Sequence, residues 1–367
     1  MKWITQGDGK NSVISVSSLS TNEWVDIFIK NNFTVTYPSE DHSIEESDFF
    51  EELEKGAFGV ISMLSWKWDK AAIKKLSLAG VKILCNYAVG VNNIDLEAAR
   101  MEGIQVGNTP DVLTQATAEL AMTLTNACAR KVTMGDSYVR NGKFHGWAPD
   151  LMLGMELQGK TLGIIGPGRI GTSFAVKMAA AYSMNCCYFA RSEPHSLISE
   201  FKILNKWNEL RGTTPLECKK SNSVIDLIKT CDVISIFVSL NKETNHLIGR
   251  DELSSMRKNS IIINVSRGQV INEKELVKHL QKRVDVTAGL DVYEREPVLE
   301  NMLKELPNAV LLPHLGSATR EARRNMEIIT SLNIINFKKG FPQWTGNSIM
   351  PFITNQDLPY VPSILTF

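Results

Sequence analysis

The sequence lacks the features that mark membrane proteins and nucleic-acid-binding proteins. No apolar run approaches the length of about 18 residues that a membrane-spanning helix needs, and the first segment, MKWITQGDGKNS, is polar and unlike a signal peptide. Lys and Arg together number 40, as do Asp and Glu, so there is no basic excess to attract nucleic acid or an anionic membrane. These absences favour a cytoplasmic protein that binds neither nucleic acid nor a membrane.

Cysteine is also sparse and has no diagnostic spacing. The six cysteines include no C-x-x-C pair, which argues against both a disulfide framework and a zinc site, so we expect no metal. Five of them lie in or beside apolar or helical runs and are interpreted as small core residues. Cys218 differs, because it lies in the polar stretch CKKSNS.

The hydrophobic pattern predicts an α/β protein of two domains. A single core rarely grows past about 250–300 residues, and this chain has 367. Apolar runs such as SVISVSS and FGVISML alternate with helical patterns, and a second alternating block starts at Thr161. This alternation is typical of parallel sheets with helices on both faces.

Three segments between and after these blocks are interpreted separately. A long helix is expected to begin at Pro110, because proline is favourable at a helix start. Residues 193–223 are expected to form a polar surface excursion with at most one short strand and one short helix. The tail after residue 340 has no clear periodicity.

A glycine-rich turn predicts dinucleotide binding. Gly166-Pro167-Gly168-Arg169-Ile170-Gly171 fits G-x-G-x-x-G and lies between an apolar strand and a helix. In that setting the glycines permit a tight turn, close approach of a pyrophosphate and close packing of helix on strand. The helix N-terminus would then offer free N–H groups to the phosphates.

The end of the next strand bears on the choice between NAD(H) and NADP(H). A carboxylate about 20 residues after the turn would hold the ribose 2′-hydroxyl of NAD(H), but the sequence there is Ala190-Arg191-Ser192. Arg191 and Ser192 could bind a 2′-phosphate instead. We therefore expect NADP(H) to be preferred, with NAD(H) left open.

Six stretches, in this order, resemble the D-isomer-specific 2-hydroxyacid dehydrogenases: NYAVGVNNID, NTPDVLTQATAEL, GKTLGIIGPGRIG, INVSRGQVIN, GLDVYEREP and LPHLGSATRE. The resemblance covers about residues 55–340, and WAPDLMLGMELQGKT is most similar to the glyoxylate/hydroxypyruvate reductases. It implies two Rossmann-like, doubly wound parallel-sheet domains in a homodimer. The nucleotide-binding domain, residues 110–317, would be inserted into a substrate (catalytic) domain formed by residues 1–109 and 318–367.

The resemblance assigns three residues to the reduction of a small 2-keto acid to its D-2-hydroxy acid. Arg267 in VSRG matches the family's substrate arginine, whose planar fork suits a carboxylate and a carbonyl oxygen. His314 in LPHLG matches the acid/base histidine, and Glu296 in DVYEREP matches the glutamate that hydrogen-bonds it. A neighbouring carboxylate favours the imidazolium, which keeps a proton available for the nascent alkoxide.

Further matches imply contacts with substrate and cofactor. Leu64, the backbone of Val89 and Gly90, and Trp147 are implied for the substrate. In the glyoxylate reductase branch a loop tryptophan reaches the partner's active site, but packing of Trp147 on its own subunit stays open. Besides the glycine turn and residues 190–192, the cofactor contacts implied are Thr117, Val238, Ser239, Val265, Ser266, Asp291, His314 and Gly316.

Other functions remain compatible with the sequence. The same fold acts on D-lactate-type substrates, phosphoglycerate and other 2-hydroxy acids. A reading from another class is a non-catalytic, NAD(P)-sensing, corepressor-like protein. Arg267, Glu296 and His314 together favour chemistry, and Glu296 argues against formate oxidation, which would need an amide beside the histidine.

Overall fold

The computed structural model describes residues 3–39 and 44–365. The chain forms two compact units: one comprises Met1–Leu113 and Ser317–Phe367, and the other Thr114–Gly316. The sequence placed the domain boundaries at residues 110 and 317, near the two points where the chain passes from one unit to the other. We call the two parts the outer unit and the inserted unit.

The outer unit is built on a six-stranded sheet of order β1-β3-β2-β4-β5-β6. Its strands are β1 Trp3–Gln6, β2 Asn11–Ser15, β3 Phe33–Pro38, β4 Gly59–Ser62, β5 Ile83–Asn86 and β6 Gln105–Gly107. Its helices are α1 Glu23–Lys30, α2 Glu46–Leu53, α3 Lys70–Leu78, α4 Leu96–Met101, α12 Arg320–Lys338 and α13 Pro351–Thr354. All pairings are parallel except that of β1 with β3, an antiparallel edge that the sequence pattern did not predict.

The inserted unit is built on a seven-stranded, wholly parallel sheet of order β13-β12-β11-β10-β7-β8-β9. Its strands are β7 Thr161–Ile165, β8 Asn185–Phe189, β9 Cys218–Lys220, β10 Val233–Ile236, β11 Ile261–Asn264, β12 Thr287–Leu290 and β13 Ala309–Leu311. Its helices are α5 Thr114–Ala129, α6 Val132–Arg140, α7 Arg169–Tyr182, α8 His195–Leu210, α9 Val224–Thr230, α10 Arg250–Ser254 and α11 Glu273–Lys282. Strands β10 and β11 are buried at every position, as expected when helices cover both faces.

The long helix α5 begins four residues later than the sequence analysis expected. Pro110 lies in a turn in which the Val112 N–H donates to the Pro110 carbonyl oxygen at 2.8 Å. Asp111 has a φ of 71°, which a right-handed helix cannot contain. The helix therefore starts only at Thr114, which is also the first of its buried residues.

The excursion at residues 193–223 contains a longer helix than predicted. Helix α8 runs from His195 to Leu210 because Leu197 and Phe201, one turn apart, are buried in the core of the inserted unit. The Asn205 side chain donates to the Leu216 carbonyl at 2.8 Å and accepts from its N–H at 2.7 Å, which ties the following loop to the helix. The prediction of a short helix was wrong, because two buried residues among polar ones do not stand out in the sequence.

Within residues 3–39 and 44–365, the helices are all too short or too polar to cross a membrane. Over those same ranges, no cluster of three or more His, Cys, Asp and Glu side chains is arranged to hold a metal ion.

Candidate active site

The residues predicted for cofactor and catalysis in the inserted unit follow the carboxyl ends of its parallel strands. Taken in sheet order, these are His314 after β13, Asp291 after β12, Arg267 after β11, Val238 after β10, Gly166 after β7 and Ala190 after β8. Open α/β sheets bind their ligands at this edge. The topology therefore brings to one edge residues that are up to 148 positions apart in the chain, from Gly166 to His314.

The glycine turn has the shape that a dinucleotide pyrophosphate requires. Gly166 has a φ of 87°, and a Cβ placed on it would lie 2.6 Å from Val238 Cγ1, so a side chain does not fit there. A Cβ on Gly171 would lie 2.8 Å from the Gly166 carbonyl oxygen, which explains the third glycine by helix–strand packing. A Cβ on Gly168 would meet no atom within 4 Å, so the space in front of the α7 N-terminus is an open cradle. The residues present fit a nucleotide cofactor at this position.

The strand end that bears on cofactor choice presents a cation and a nearby anion. Ala190 is half-buried, whereas Arg191 and Ser192 are exposed. Arg191 Nη1 lies 3.3 Å from Glu243 Oε2, and both side chains are mostly exposed. Glu243 belongs to the loop after β10, in which the Ser239 carbonyl accepts the Thr244 hydroxyl at 2.6 Å. Glu243 was not predicted from the sequence, because 52 positions separate it from Arg191.

His314 and Glu296 form a close pair. The Nδ1 atom of His314 lies 2.8 Å from Glu296 Oε2, and about a third of each side chain is exposed. The other carboxylate oxygen, Oε1, accepts the Tyr293 N–H at 2.9 Å. Partial burial opposes ionisation of Glu296, but the hydrogen bond and charge of His314, the Tyr293 N–H and the Arg267 charge outweigh it and lower the Glu296 pKa.

Asp291 fixes the backbone around His314. Its carboxylate is buried and accepts the N–H groups of Leu315 at 2.6 Å and Gly316 at 2.8 Å, and its carbonyl accepts the His314 N–H at 2.9 Å. These bonds hold His314 in a left-handed conformation with φ of 57°. Burial raises the Asp291 pKa against the opposing effects of the N–H groups and His314. Thr117 of α5 borders this turn, since a Cβ on Gly316 would lie 3.5 Å from the Thr117 hydroxyl.

Arg267 is half-buried after β11 and is held by its neighbours. Its Nη1 donates to the Ser266 carbonyl at 2.7 Å, and its own carbonyl accepts from Asn264 Nδ2 at 3.0 Å. The Asn264 Oδ1 accepts the N–H and the hydroxyl of Ser266 at 3.0 and 2.9 Å. Burial lowers the Arg267 pKa, and the charge of Glu296 acts in the opposite direction. A partly desolvated guanidinium of this kind gains stability from an added anion.

The predicted substrate residues of the outer unit also follow neighbouring strands. Leu64 is half-buried two residues beyond β4, and Val89 and Gly90 follow β5, its parallel neighbour. The Gly90 carbonyl accepts from Asn86 Nδ2 at 2.7 Å, and the Val89 carbonyl accepts from Asn108 Nδ2 at 2.9 Å. These bonds fix the orientation of the Val89 and Gly90 peptides.

Trp147 lies in the long loop of the inserted unit that follows α6, with 84% of its surface exposed. The loop and α6 together expose further large apolar side chains, namely Val132, Val139, Phe144, Leu151 and Leu153. The sequence left open whether the Trp147 ring packs on its own subunit. An exposed fraction this large means that most of the ring does not.

Three residues that support the site were not predicted from the sequence. Asn264, Glu273 and Tyr293 are buried and bond to the segments that bear Arg267 and Glu296. Asn264 had a detectable signal, because it is the single polar residue ending the strand IIIN. Glu273 had none, because a glutamate at the start of a helix is ordinarily exposed.

The arrangement in the inserted unit combines a nucleotide-shaped cradle, a half-buried guanidinium and an imidazole–carboxylate pair. A guanidinium binds and polarises an oxyanion, and an imidazolium beside a carboxylate can donate a proton and later recover it. A nucleotide cofactor on the same edge would supply the redox chemistry. These groups suit hydride transfer coupled to proton transfer on a small anionic carbonyl compound.

Comparisons with known proteins address the family directly. A family model described as "D-isomer specific 2-hydroxyacid dehydrogenase, NAD binding domain" matches residues 122–316. Glycerate dehydrogenase from Cucumis sativus is 36% identical over 354 residues, which cover 96% of this chain and 93% of that protein. Glyoxylate reductase from Thermococcus litoralis is 40% identical over 303 residues, covering 82% of this chain and 84% of that protein.

A solved structure extends the similarity to the fold. A glyoxylate reductase from Paecilomyes thermophila has 29% sequence identity and a TM-score of 0.74, and the match covers 88% of this chain and 94% of that one. The similarity therefore includes both the inserted unit and most of the chain outside it.

Proposed function

Because the chain belongs to the D-isomer-specific 2-hydroxyacid dehydrogenase family and is an NAD(P)-dependent oxidoreductase, we propose that it reduces glyoxylate or hydroxypyruvate to the corresponding hydroxy acid. The relatives described above, a glycerate dehydrogenase and two glyoxylate reductases, act on small acids of this kind. The proposal depends above all on one observation, the 2.8 Å pair of His314 Nδ1 and Glu296 Oε2 beside Arg267.

In this proposal each residue of the site has a separate task. A nicotinamide cofactor held by the glycine turn of residues 166–171 would supply the hydride that reduces the carbonyl carbon. Arg267 binds the substrate carboxylate and polarises the carbonyl oxygen. His314, whose Nδ1 faces Glu296, donates a proton from Nε2 to the oxygen as it becomes an alkoxide. Glu296 stabilises the imidazolium and orients the ring, and in the oxidative direction His314 accepts the proton instead.

The proposal includes NADP(H) as the preferred cofactor. Arg191 and Ser192 stand where a carboxylate would select NAD(H), and both are exposed at the end of β8. The Glu243 carboxylate next to Arg191 opposes this preference, because it would repel a 2′-phosphate. We therefore expect discrimination by a modest factor and measurable turnover with NADH.

The proposal also includes a homodimer in the cytoplasm. The apolar side chains exposed on α6 and the loop after it are typical of a covered surface, and Trp147 lies among them. All six cysteines are free thiols, which is compatible with a reducing compartment.

The test is the initial rate with glyoxylate and with hydroxypyruvate, each with NADPH and with NADH. Turnover that is faster with NADPH is expected. His314→Asn should lower kcat by at least about 100-fold while NADPH still binds, because the variant lacks the proton donor. Near wild-type kcat in that variant would refute the mechanism. Cofactor binding without turnover on any 2-keto acid would instead favour an NAD(P) sensor.

A further inference from the structure

Glu273 is a buried carboxylate that bonds both ends of the segment containing Glu296. It is the first residue of α11 and is 6% exposed. Its Oε2 accepts the Glu294 N–H at 2.8 Å, and its Oε1 accepts the Glu300 N–H at 2.7 Å. One side chain therefore spans residues 294–300, which we call the Glu296 segment.

The Glu296 segment also accepts a hydrogen bond from α11. Glu294 Oε2 accepts the Glu273 N–H at 3.1 Å, so the two glutamates exchange backbone-to-carboxylate hydrogen bonds. Glu294 Oε1 also lies 3.0 Å from His246 Nε2, and the His246 N–H donates to the Gln269 carbonyl at 2.7 Å. The segment is thereby tied to α11 and to the turn that follows Arg267.

Close backbone packing links this segment to Arg267. A Cβ on Gly268 would lie 1.8 Å from the Tyr293 carbonyl carbon, so the backbone after Arg267 contacts the backbone that leads into the segment. Tyr293 in turn donates its N–H to Glu296 Oε1. A displacement of Glu294 would move Glu296 relative to both His314 and Arg267.

Apolar packing holds the Glu296 segment at Leu299, which packs against the core of the inserted unit, but not over residues 295–298. Arg295, Glu296, Pro297 and Val298 are all exposed. A cavity of about 160 Å³ lies beneath, lined by Glu273, Lys274, Glu294, Arg295 and Glu300. Polar contacts therefore hold most of the segment, and among them the two hydrogen bonds of the Glu273 carboxylate fix its ends at Glu294 and Glu300.

We propose that Glu273 is a positioning residue for proton transfer, which acts by holding Glu296 in line with the His314 imidazole. This inference rests on the proposed function, since it assigns a role within that reaction. Burial of a carboxylate beside a second one is unfavourable by itself. The backbone N–H groups that the Glu273 and Glu294 carboxylates accept offset that cost, and these bonds also hold the two ends of the Glu296 segment.

The test compares Glu273→Ala, Glu273→Gln and Glu273→Asp with the matched control Glu275→Ala. Glu275 lies in the same helical turn, and its carboxylate pairs only with the exposed Lys278 in the described part of the chain. We expect Glu273→Ala to lower kcat by about 10- to 100-fold, the loss that a misplacement of about 1 Å produces. Glu273→Gln should recover part of it, because the amide keeps one acceptor oxygen. The cofactor Kd and the control should remain within about twofold of wild type.

Two readouts separate positioning from general stability. The double variant Glu273→Ala with Glu296→Gln should be no slower than Glu296→Gln alone, because both changes remove the same contact. Hydrogen exchange at single amides should show lost protection at Tyr293, whose N–H donates to Glu296, in Glu273→Ala but not in Glu275→Ala. Losses that multiply in the double variant, or Tyr293 protection equal to wild type, would overturn the proposal.

The two proposals fail in different ways. If the wild type reduces no 2-keto acid, the proposed function is refuted, and the exchange of the Tyr293 amide still decides whether Glu273 holds Glu296. If the wild type is active and Glu273→Ala keeps wild-type kcat and pH dependence, the positioning role is refuted and the proposed function stands.

Discussion

Glu296 shows how a single carboxylate is tuned by its surroundings. Partial burial alone would raise its pKa, but His314, the Tyr293 N–H and Arg267 together lower it. Because the pKa of the folded state is depressed, the ionised group stabilises the fold above its ordinary pKa, and that stabilisation is lost as the pH falls through the lowered value. The side chain is 35% exposed, so solvent screening keeps this contribution small. Its main effect is therefore on His314.

Replacing Glu296 by Gln should change the pH dependence of reduction. The amide removes the negative charge that favours the protonated form of the proton donor, so the alkaline limb of kcat/KM moves to lower pH. We also expect kcat at neutral pH to fall roughly 10- to 100-fold. The measurement is kcat/KM with glyoxylate and NADPH between about pH 5 and pH 9.

Glu305→Gln is the control for this change, because Glu305 is an exposed glutamate nine positions further along the chain. It should leave the profile unaltered. A Glu296→Gln enzyme with the wild-type alkaline limb would contradict the assigned role.

At the scale of elements, the strand–turn–helix unit of β7 and α7 separates two uses of glycine. Gly166 serves the fold, because its positive φ and the close Val238 leave no room for a side chain. Gly168 leaves open the space in front of α7, which is where we propose that the cofactor pyrophosphate binds. The same motif thus contains one glycine that the backbone requires and one that the proposed cofactor site requires.

Alanine at these two positions should affect different properties, namely thermal stability at Gly166 and cofactor affinity at Gly168. Gly166→Ala should lower Tm, because a positive φ costs about 1–2 kcal/mol for a non-glycine residue and the added Cβ lies 2.6 Å from Val238. Gly168→Ala should keep the wild-type Tm and weaken NADPH binding by at least about 10-fold, since its methyl group fills the cradle. Thermal unfolding and fluorescence titration with NADPH measure the two effects. Equal NADPH affinity in Gly168→Ala and wild type would place the pyrophosphate elsewhere.

At the scale of the whole molecule, large apolar side chains are exposed on two separate parts of the inserted unit. One comprises α6 and the loop with Trp147, and the other consists of Ile203, Trp207 and Leu210 on α8. The first is part of the proposed dimer interface. The second belongs to the helix of the excursion.

The dimer proposal predicts that charge on the first surface separates the subunits. Val139→Glu with Leu153→Glu should raise the dimer Kd by at least about 100-fold, because an unpaired charge in an interface costs several kcal/mol. Leu210→Glu is the matched control, because Leu210 is 84% exposed on the other surface. Light scattering at several protein concentrations gives the oligomeric state. A dimer that survives the first change and dissociates with the second would place the interface on α8.

The sequence by itself determined the elements whose signal is local. The glycine turn between β7 and α7 follows from glycines at fixed spacing after an apolar strand, and the buried strands follow from continuous apolar runs. The family, the fold class and the NAD(P)-dependent activity also followed from the sequence, because several motifs in one order are specific where each alone is weak. These features need no knowledge of which residues meet in space.

Only the tertiary structure decided the features that depend on distant contacts. The start of α5 was set by the left-handed Asp111, and the length of α8 by the burial of Leu197 and Phe201. The Glu243 partner of Arg191 lies 52 positions away in sequence, and the two bonds of Glu273 reach 21 and 27 positions along the chain. A charged residue looks alike in a sequence whether it is solvated or buried, because its partners, and with them its role, are supplied by the fold.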